Sequence, residues 1–515
     1  MASCRLARLK RAKKSCWGHS EAVTDPLSNF RDLREFSSAT SSAMLNANAA
    51  VIHWFRRDLR IADNTALSHA AKPGLPIVPV YILSEWSQRH QWTGPNRQHF
   101  LCGSLESLAR NLEKLGGRLI VRQGSAVAEL RALIKQSHAV AVHFNADPDP
   151  FGKKIEAQVQ QLCRELGVEC HAHADVALHG PEQVLTQSDL PYRVYTPYSR
   201  NWLSLPKPSP LTKLTRLRTP PDLHTLPLPT VHVWGLETPT SQAVEPGERA
   251  ARERLRTAIT GKIQAYAGKR DFPAANGTSR ISQDLRYGLL SIRTVYAEAI
   301  KARAAADLAE RGGIDVFIKE LAWREFYFAI LHHFPNVLEQ EFNSDWRGLP
   351  WDEPGEHFEA WQAGRTGFPI VDAGMRELRA TGFMHNRVRM ITAMFLTKDL
   401  HLDWKQGESW FMQNLVDGEI ASNNGGWQWS AGTGADAAPY FRIQNPWSQT
   451  LKFDTDGTYI KRWVPELAKT HPSRFLEAPE DGRPIAADYP LPCVDHKTER
   501  DRTLAIFKSH RENSR

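Results

Sequence analysis

The chain has 515 residues, is 41% hydrophobic and 24% charged, and carries a net charge of +8. That length exceeds one core, so two or three domains are expected, and the composition is that of an ordinary soluble globular protein. No apolar run approaches a membrane span, and the basic balance suits a polyanionic partner.

Residues 1–49 read as a disordered or misassigned extension. Arg5, Arg8, Lys10, Arg11, Lys13 and Lys14 precede the first acid, Glu21, and a Ser/Thr/Ala-rich piece follows. A targeting peptide fits, as does an upstream start with Met44 as the true one. From residue 51 strands and helices alternate: strands at 51–55, 75–83, 118–122, 139–144 and near 168–172, with helices at about 98–115, 126–136 and 152–166. Apolar strands between amphipathic helices predict a doubly wound parallel sheet over 50–180, with ligands beyond the strands' carboxyl ends. Neither G-x-G-x-x-G nor a phosphate loop occurs, so dinucleotide binding by that route and phosphoryl transfer are unsupported. Six scattered cysteines suggest a reducing compartment without disulfides. Cys163, Cys170, His171 and His173 cluster only because a helix end runs into a strand, and no metal site is expected.

Seven prolines between 206 and 229 mark a surface linker within 181–247. Helical periodicity dominates from 248 to 507, predicting an all-α domain with a short tail, 508–515. Ten of the sixteen tryptophans follow residue 320. Thr278, Ser279 and Ser282 sit at an expected helix start, where free N–H groups favour phosphate; a simple N-cap is the plainer account. Glu320 and Trp323 share a helical face, as do Asn386, Arg389 and Met390. Arginines there suit phosphate or a solvated basic surface. Asn423 to Trp429 packs six Asn, Gly or Trp residues into seven positions. This reads as a turn presenting flat aromatic surface, or as a loop capping a helix with core tryptophans.

Together these stretches resemble the photolyase/cryptochrome family. The resemblance rests on Trp54-Phe-Arg-Arg-Asp-Leu-Arg60 with Asp63-Asn64, Thr278-Ser-Arg-Ile-Ser282, Trp323-Arg-Glu-Phe326, Gly367-Phe-Pro-Ile-Val-Asp-Ala-Gly-Met375, Met384-His-Asn-Arg387, Asn423-Asn-Gly-Gly-Trp427 and Tyr440-Phe-Arg-Ile-Gln-Asn-Pro446. It spans about 51–507 and looks most like the bacterial class I cyclobutane pyrimidine dimer photolyases. It implies an antenna-type α/β domain, a linker, and a helical domain holding FAD, active as FADH⁻.

By that resemblance Tyr266, Thr278, Ser279, Arg280, Ile281, Ser282, Phe317, Asp417, Gly418 and Glu419 would contact FAD, and Asn423 would face flavin N5. Glu320, Trp323, Tyr327, Asn386, Met390 and Trp429 would hold the lesion. Arg270, Arg387, Arg389 and Arg442 would meet DNA. Trp427, Trp404 and Trp351 would pass electrons from the surface to the flavin, with Trp427 innermost. The implied chemistry is light-driven electron transfer from reduced FAD to a pyrimidine dimer in DNA, with the electron returned after the ring splits. No metal is required. Asp147 and Asp149 in 145–152 resemble an antenna loop, with deazaflavin, folate, another flavin and an empty site all open. A blue-light signalling receptor and a photolyase restricted to single-stranded DNA are the rival readings. A cytoplasmic monomer without membrane contact is expected, and an organelle-targeting role for 1–49 stays open.

Overall fold

The computed structural model describes residues 49–84, 92–239, 244–437, 439–479 and 482–513. The expected extension therefore lies outside the described residues, save for Ala49.

Five strands, β1 (Ala50–Phe55), β2 (Ile77–Leu83), β3 (Ile120–Gln123), β4 (Ala139–Asn145) and β5 (Glu169–His173), form one parallel sheet in the order β3-β2-β1-β4-β5. Among the described residues four helices lie between them: α1 (Thr65–Ala71), α2 (Pro95–Glu113), α3 (Ala126–Ser137) and α4 (Pro150–Leu166). This is the predicted doubly wound sheet. β1 is buried throughout, and its side chains alternate between faces. Ile52 and Trp54 pack in a cluster with Leu130 and Leu162 of α3 and α4. Val51 and Phe55 join a larger core that contains Leu105 of α2 and runs on into the helical region. Asn64 caps α1 by accepting from Leu67 N, and Asp149 caps α4 by accepting from Gly152 N at 2.7 Å.

The proline-rich stretch is extended, and it covers the edge strand. Val121 N donates to Thr225 Oγ1 at 2.9 Å, and Leu226 N donates to the Val121 carbonyl at 3.0 Å. Edge groups that would otherwise invite another chain are thus satisfied. The span 181–247 also contains a helix, α5 (Tyr195–Ser204).

Beyond it run α6 (Glu248–Gly261), α7 (Tyr266–Lys269), α8 (Ser282–Arg286), α9 (Ile292–Ala305), α10 (Leu308–His333), α11 (Glu356–Ala363), α12 (Pro369–Thr381), α13 (Asn386–Lys398), α14 (Trp404–Asn414), α15 (Ile420–Ala431), α16 (Pro446–Phe453), α17 (Thr458–Trp463) and α18 (His496–Asn513). α10 is the longest, started by a capping box in which Asp307 and Glu310 satisfy each other's backbone N–H groups. A second core gathers Trp361, Trp404, Trp427 and Trp447 from four of the later helices, with their neighbours. No described helix is long and apolar enough to cross a membrane.

The strand order reverses between β1 and β4, and the chain leaving those two ends meets the helical region. Arg57, two residues past β1, donates to Asp147 at 2.8 Å and to Glu419 at 3.1 Å. Arg60 donates to the Gly288 carbonyl, and Leu59 N to the Tyr287 carbonyl. Gly288 has φ +63°, and a Cβ there would lie 1.9 Å from the Arg57 carbonyl, so only glycine permits this approach.

Candidate cofactor and nucleic-acid site

Three helices turn one face each towards a common cavity of about 530 Å³, within the roughly 300–1,000 Å³ usual for ligand pockets. α10 contributes Phe317, Glu320, Trp323, Arg324 and Tyr327, which recur at helical spacing. α13 contributes Asn386, Arg389, Met390 and Ala393, and α15 contributes Ser422, Asn423, Gly426, Trp427, Trp429 and Ser430. Tyr266 and Arg270 from around α7 and the 278–282 loop complete the wall.

The stretch 423–429 is a helix rather than the expected turn. Glu419 caps α15 by accepting from Ser422 N at 3.0 Å. The glycines serve close approach, not unusual backbone angles. A Cβ on Gly425 would sit 2.1 Å from Tyr327 Cδ1, so that ring lies directly on the helix. A Cβ on Gly426 would meet no protein atom within 4 Å, because that face of the helix borders the cavity.

The deep end is polar and tightly paired. Ser282 Oγ donates to Asp417 Oδ2 at 2.7 Å, and Arg389 donates to both Asp417 oxygens at 2.9 and 3.1 Å. Arg389 also donates to the Met384 carbonyl. Its Nε and Nη2 are therefore engaged at the wall. Phe383 meets two cations, with Arg280 3.4 Å and Arg389 5.1 Å from its ring centre. Arg280 adopts φ +58°, which turns the chain between Ser279 and Ile281. Asn423 Nδ2 donates to the Glu408 carbonyl at 3.1 Å. That fixes the amide and leaves its Oδ1 without a protein donor among the described residues.

The mouth carries paired charges and aromatic rings. Glu320 pairs with Arg270, and burial pushes its carboxyl upward against the opposing pull of that cation. Arg387 donates to Asp271 at 2.8 Å and lies over Phe453. Trp323 stacks on Tyr195 with ring centres 3.6 Å apart, so α5 fixes its plane.

The cavity wall thus gathers every candidate flavin, lesion, DNA and electron-route residue except Trp404, Trp351 and Arg442. Trp404 is fully buried behind it. Trp351 is half-buried beside Thr397 and His401, and Asp352 N donates to the His401 carbonyl. Arg442 is exposed. Asp147 and Asp149 are taken up by structure: Asp147 holds Arg57, and Asp149 caps α4. The arginines around Asp147 hold its carboxyl well below the usual range, whereas burial beside Asp147 raises Asp149. Sequence reasoning missed Arg286, Arg324, Phe383 and Phe411 on the wall. Arg286 stands one turn beyond Ser282, a helical repeat that would have found it. Among the described residues no group of three or more His, Cys, Asp or Glu is arranged for a metal ion.

These surfaces fit a long ligand with both polar and flat parts. Hydroxyls of Thr278, Ser279 and Ser282 and the cations Arg280, Arg286 and Arg324 suit phosphate and sugar. The open face at Gly426 and the unpaired Asn423 oxygen suit a ring edge carrying an N–H. Comparison with known proteins agrees. The family model described as the FAD binding domain of DNA photolyase matches residues 317–509, and that described as DNA photolyase matches 51–218. A deoxyribodipyrimidine photo-lyase of Synechococcus sp. is 40% identical over 469 residues, covering 89% of this chain and 96% of its own. A bacterial class III photolyase from Agrobacterium tumefaciens superposes with TM-score 0.84 at 38% identity, covering 92% of this chain and all of its own. A Synechocystis cryptochrome superposes with TM-score 0.80 at 29% identity, covering 89% and 99%. The chain belongs to the photolyase/cryptochrome family, and FAD is its cofactor.

Proposed function

We propose that the chain repairs cyclobutane pyrimidine dimers in DNA in the light. The observation that carries this is the mouth: Glu320, Trp323, Asn386, Met390 and Trp429 surround one opening, with Asn423 at its depth. Bound reduced FAD supplies a light-excited electron donor. The chain's own part is to hold, orient and stabilise. Trp323 and Trp429 offer flat faces to an extruded dimer, each stacking contact being worth roughly 1–3 kcal/mol. Glu320 stands where charge develops on the dimer, so its effect falls on the excited-state step more than on binding. Arg442 and the Arg270 and Arg387 groups at the rim supply positive charge for the DNA backbone. Trp427 borders the cavity, and Trp404 and Trp351 lie outward from it, a sequence suited to restoring reduced flavin.

The test is dimer loss from a dimer-containing oligonucleotide under blue light and in the dark, with prereduced holoprotein. Equal loss in both, or none in either, overturns the reading. The likeness to a cryptochrome supports a blue-light receptor as the second reading, and the same assay separates the two: a receptor binds FAD, responds to light and leaves the dimer intact.

A further inference from the structure

Behind the cavity lies an indole–carboxylate pair that dimer repair does not use. Trp404, the first residue of α14, is fully buried, and its Nε1–H donates to Glu341 Oε1 at 3.1 Å. Glu341 belongs to the segment between α10 and α11 and is 6% exposed. Arg347 donates to its backbone carbonyl rather than to its carboxylate, which forms no ion pair among the described residues. Trp427 differs: its indole N–H is buried without a partner. The two rings meet the same helical face, because Gly407, one turn beyond Trp404, lies against the Trp427 ring.

We propose that Glu341 accepts the indole proton of Trp404 when that tryptophan is oxidised, and so draws the electron hole from Trp427 to Trp404. The inference rests on the reading of Trp427, Trp404 and Trp351 as the electron route. The oxidant is photoexcited, oxidised flavin. Trp427 gives up one electron to it, and Trp404 refills Trp427 with one electron. Trp404 is then a radical cation, whose N–H is strongly acidic. That N–H bond breaks, the proton moves along the existing hydrogen bond to Glu341 Oε1, and a new O–H bond makes a neutral carboxyl. One electron and one proton have left Trp404, which is a neutral indolyl radical until Trp351 supplies an electron and Glu341 returns the proton. In a dry interior a carboxylate beside a nascent cation is worth far more than in water. Trp427, with no acceptor, gains no such stabilisation, so the step runs outward.

The experiment uses the full-length holoprotein with oxidised FAD. Glu341→Gln keeps an acceptor oxygen for the indole and removes both the charge and the ability to take the proton. After a blue flash, wild type should show a tryptophan cation converting to the neutral radical, slowed in deuterated solvent. Infrared difference spectra should show a new protonated-carboxyl band at the same time. In Glu341→Gln the carboxyl band disappears, and the cation persists at least about tenfold longer. Flavin content and the melting transition serve as controls for folding, and Trp404→Phe must abolish the same carboxyl band. Radical decay and infrared bands identical in wild type and Glu341→Gln overturn the assignment of Glu341. Absence of any tryptophan radical in wild type overturns the electron route itself.

Discussion

Gly407 of α14 lies against the indole of Trp427 of α15. A Cβ on Gly407 would fall 2.0 Å from Cη2 and 2.4 Å from Cζ3 of that ring, with Leu396 behind it. Trp427 is also edge-on to Phe411, 4.9 Å between centres, so it can give way only towards the cavity it lines. Gly407→Ala should therefore cost about 1–3 kcal/mol by overpacking and push Trp427 into the cavity. Thermal unfolding and the ratio of bound flavin to protein should fall together. A variant with the wild-type melting point and full flavin would show that the two helices separate freely.

Arg389 and Arg442 separate pocket structure from DNA contact. Arg389 is committed to Asp417, so Arg389→Ala leaves a buried carboxylate unpaired, a loss of about 3–5 kcal/mol where no water or cation replaces it. Flavin retention should suffer. Arg442 is exposed and makes no ion pair among the described residues. Arg442→Ala should leave flavin intact and flatten the salt dependence of DNA binding by about one phosphate contact. Filter binding across a salt series, beside flavin absorbance, checks both; the reverse pattern would exchange their roles.

Glu408 gives the pH dependence a defined sign. It is buried behind Asn423 and Asn424, and burial pushes its carboxyl up to about 8 despite a 3.0 Å hydrogen bond from Asn424. The unfolded chain releases that proton near the ordinary 4.5. Between those values the folded state holds the extra proton, so stability falls as pH rises, by about 1.4 kcal/mol per unit at most. Glu408→Gln keeps the carbonyl acceptor and should remove that slope. Urea unfolding at about pH 6 and about pH 8 measures it, and an equal slope in both proteins would show that Glu408 does not titrate in this window.

Much of this was legible in the sequence. Apolar strands between amphipathic helices gave the sheet, because strands buried on both faces leave continuous hydrophobic runs. The cavity was legible where helical spacing repeats, as at Glu320 and Trp323 or Asn386, Arg389 and Met390. The nature of 423–429 was not: Asn and Gly are poor helix formers, and tertiary contact overrides propensity once Tyr327 packs on Gly425 and Glu419 caps the start. The partner of Arg389 was equally hidden, since Asp417 is 28 residues away and only the fold joins them.

Trp351 tests the electron supply apart from repair. It is half-buried against the core that also holds Trp404, and its segment is tied by Asp352 to the chain just before α14. Phenylalanine keeps much of the shape but is far harder to oxidise. Trp351→Phe should bind flavin and slow photoreduction severalfold when the flavin starts oxidised. The deficit should shrink when the flavin is reduced chemically beforehand. Flavin bleaching with an external reductant, run beside a repair assay, is the measurement; unchanged bleaching would remove Trp351 from the route.

Glu320 tests the repair step itself. Its carboxyl is raised by burial, it faces the cavity, and its partner within the protein is Arg270. A dimer entering the mouth meets both. Binding draws on stacking and on backbone charge, neither of which needs Glu320. In the proposed repair, by contrast, the electron arrives on the dimer only after excitation, and a group that donates or shares a proton there acts on that charge alone. Glu320→Gln keeps the side-chain length and hydrogen-bonding capacity but cannot supply an acidic proton. It should lower dimers repaired per absorbed photon severalfold, while DNA affinity shifts by less than about 1 kcal/mol, the scale of a single neutral hydrogen bond. Arg270→Ala should do the opposite, weakening binding while leaving a fully loaded complex able to repair. Photon-counted repair at saturating protein, with affinity measured separately, reads both quantities. Wild-type photon yield in Glu320→Gln would remove Glu320 from the reaction and leave it as the counter-ion that holds Arg270 in place.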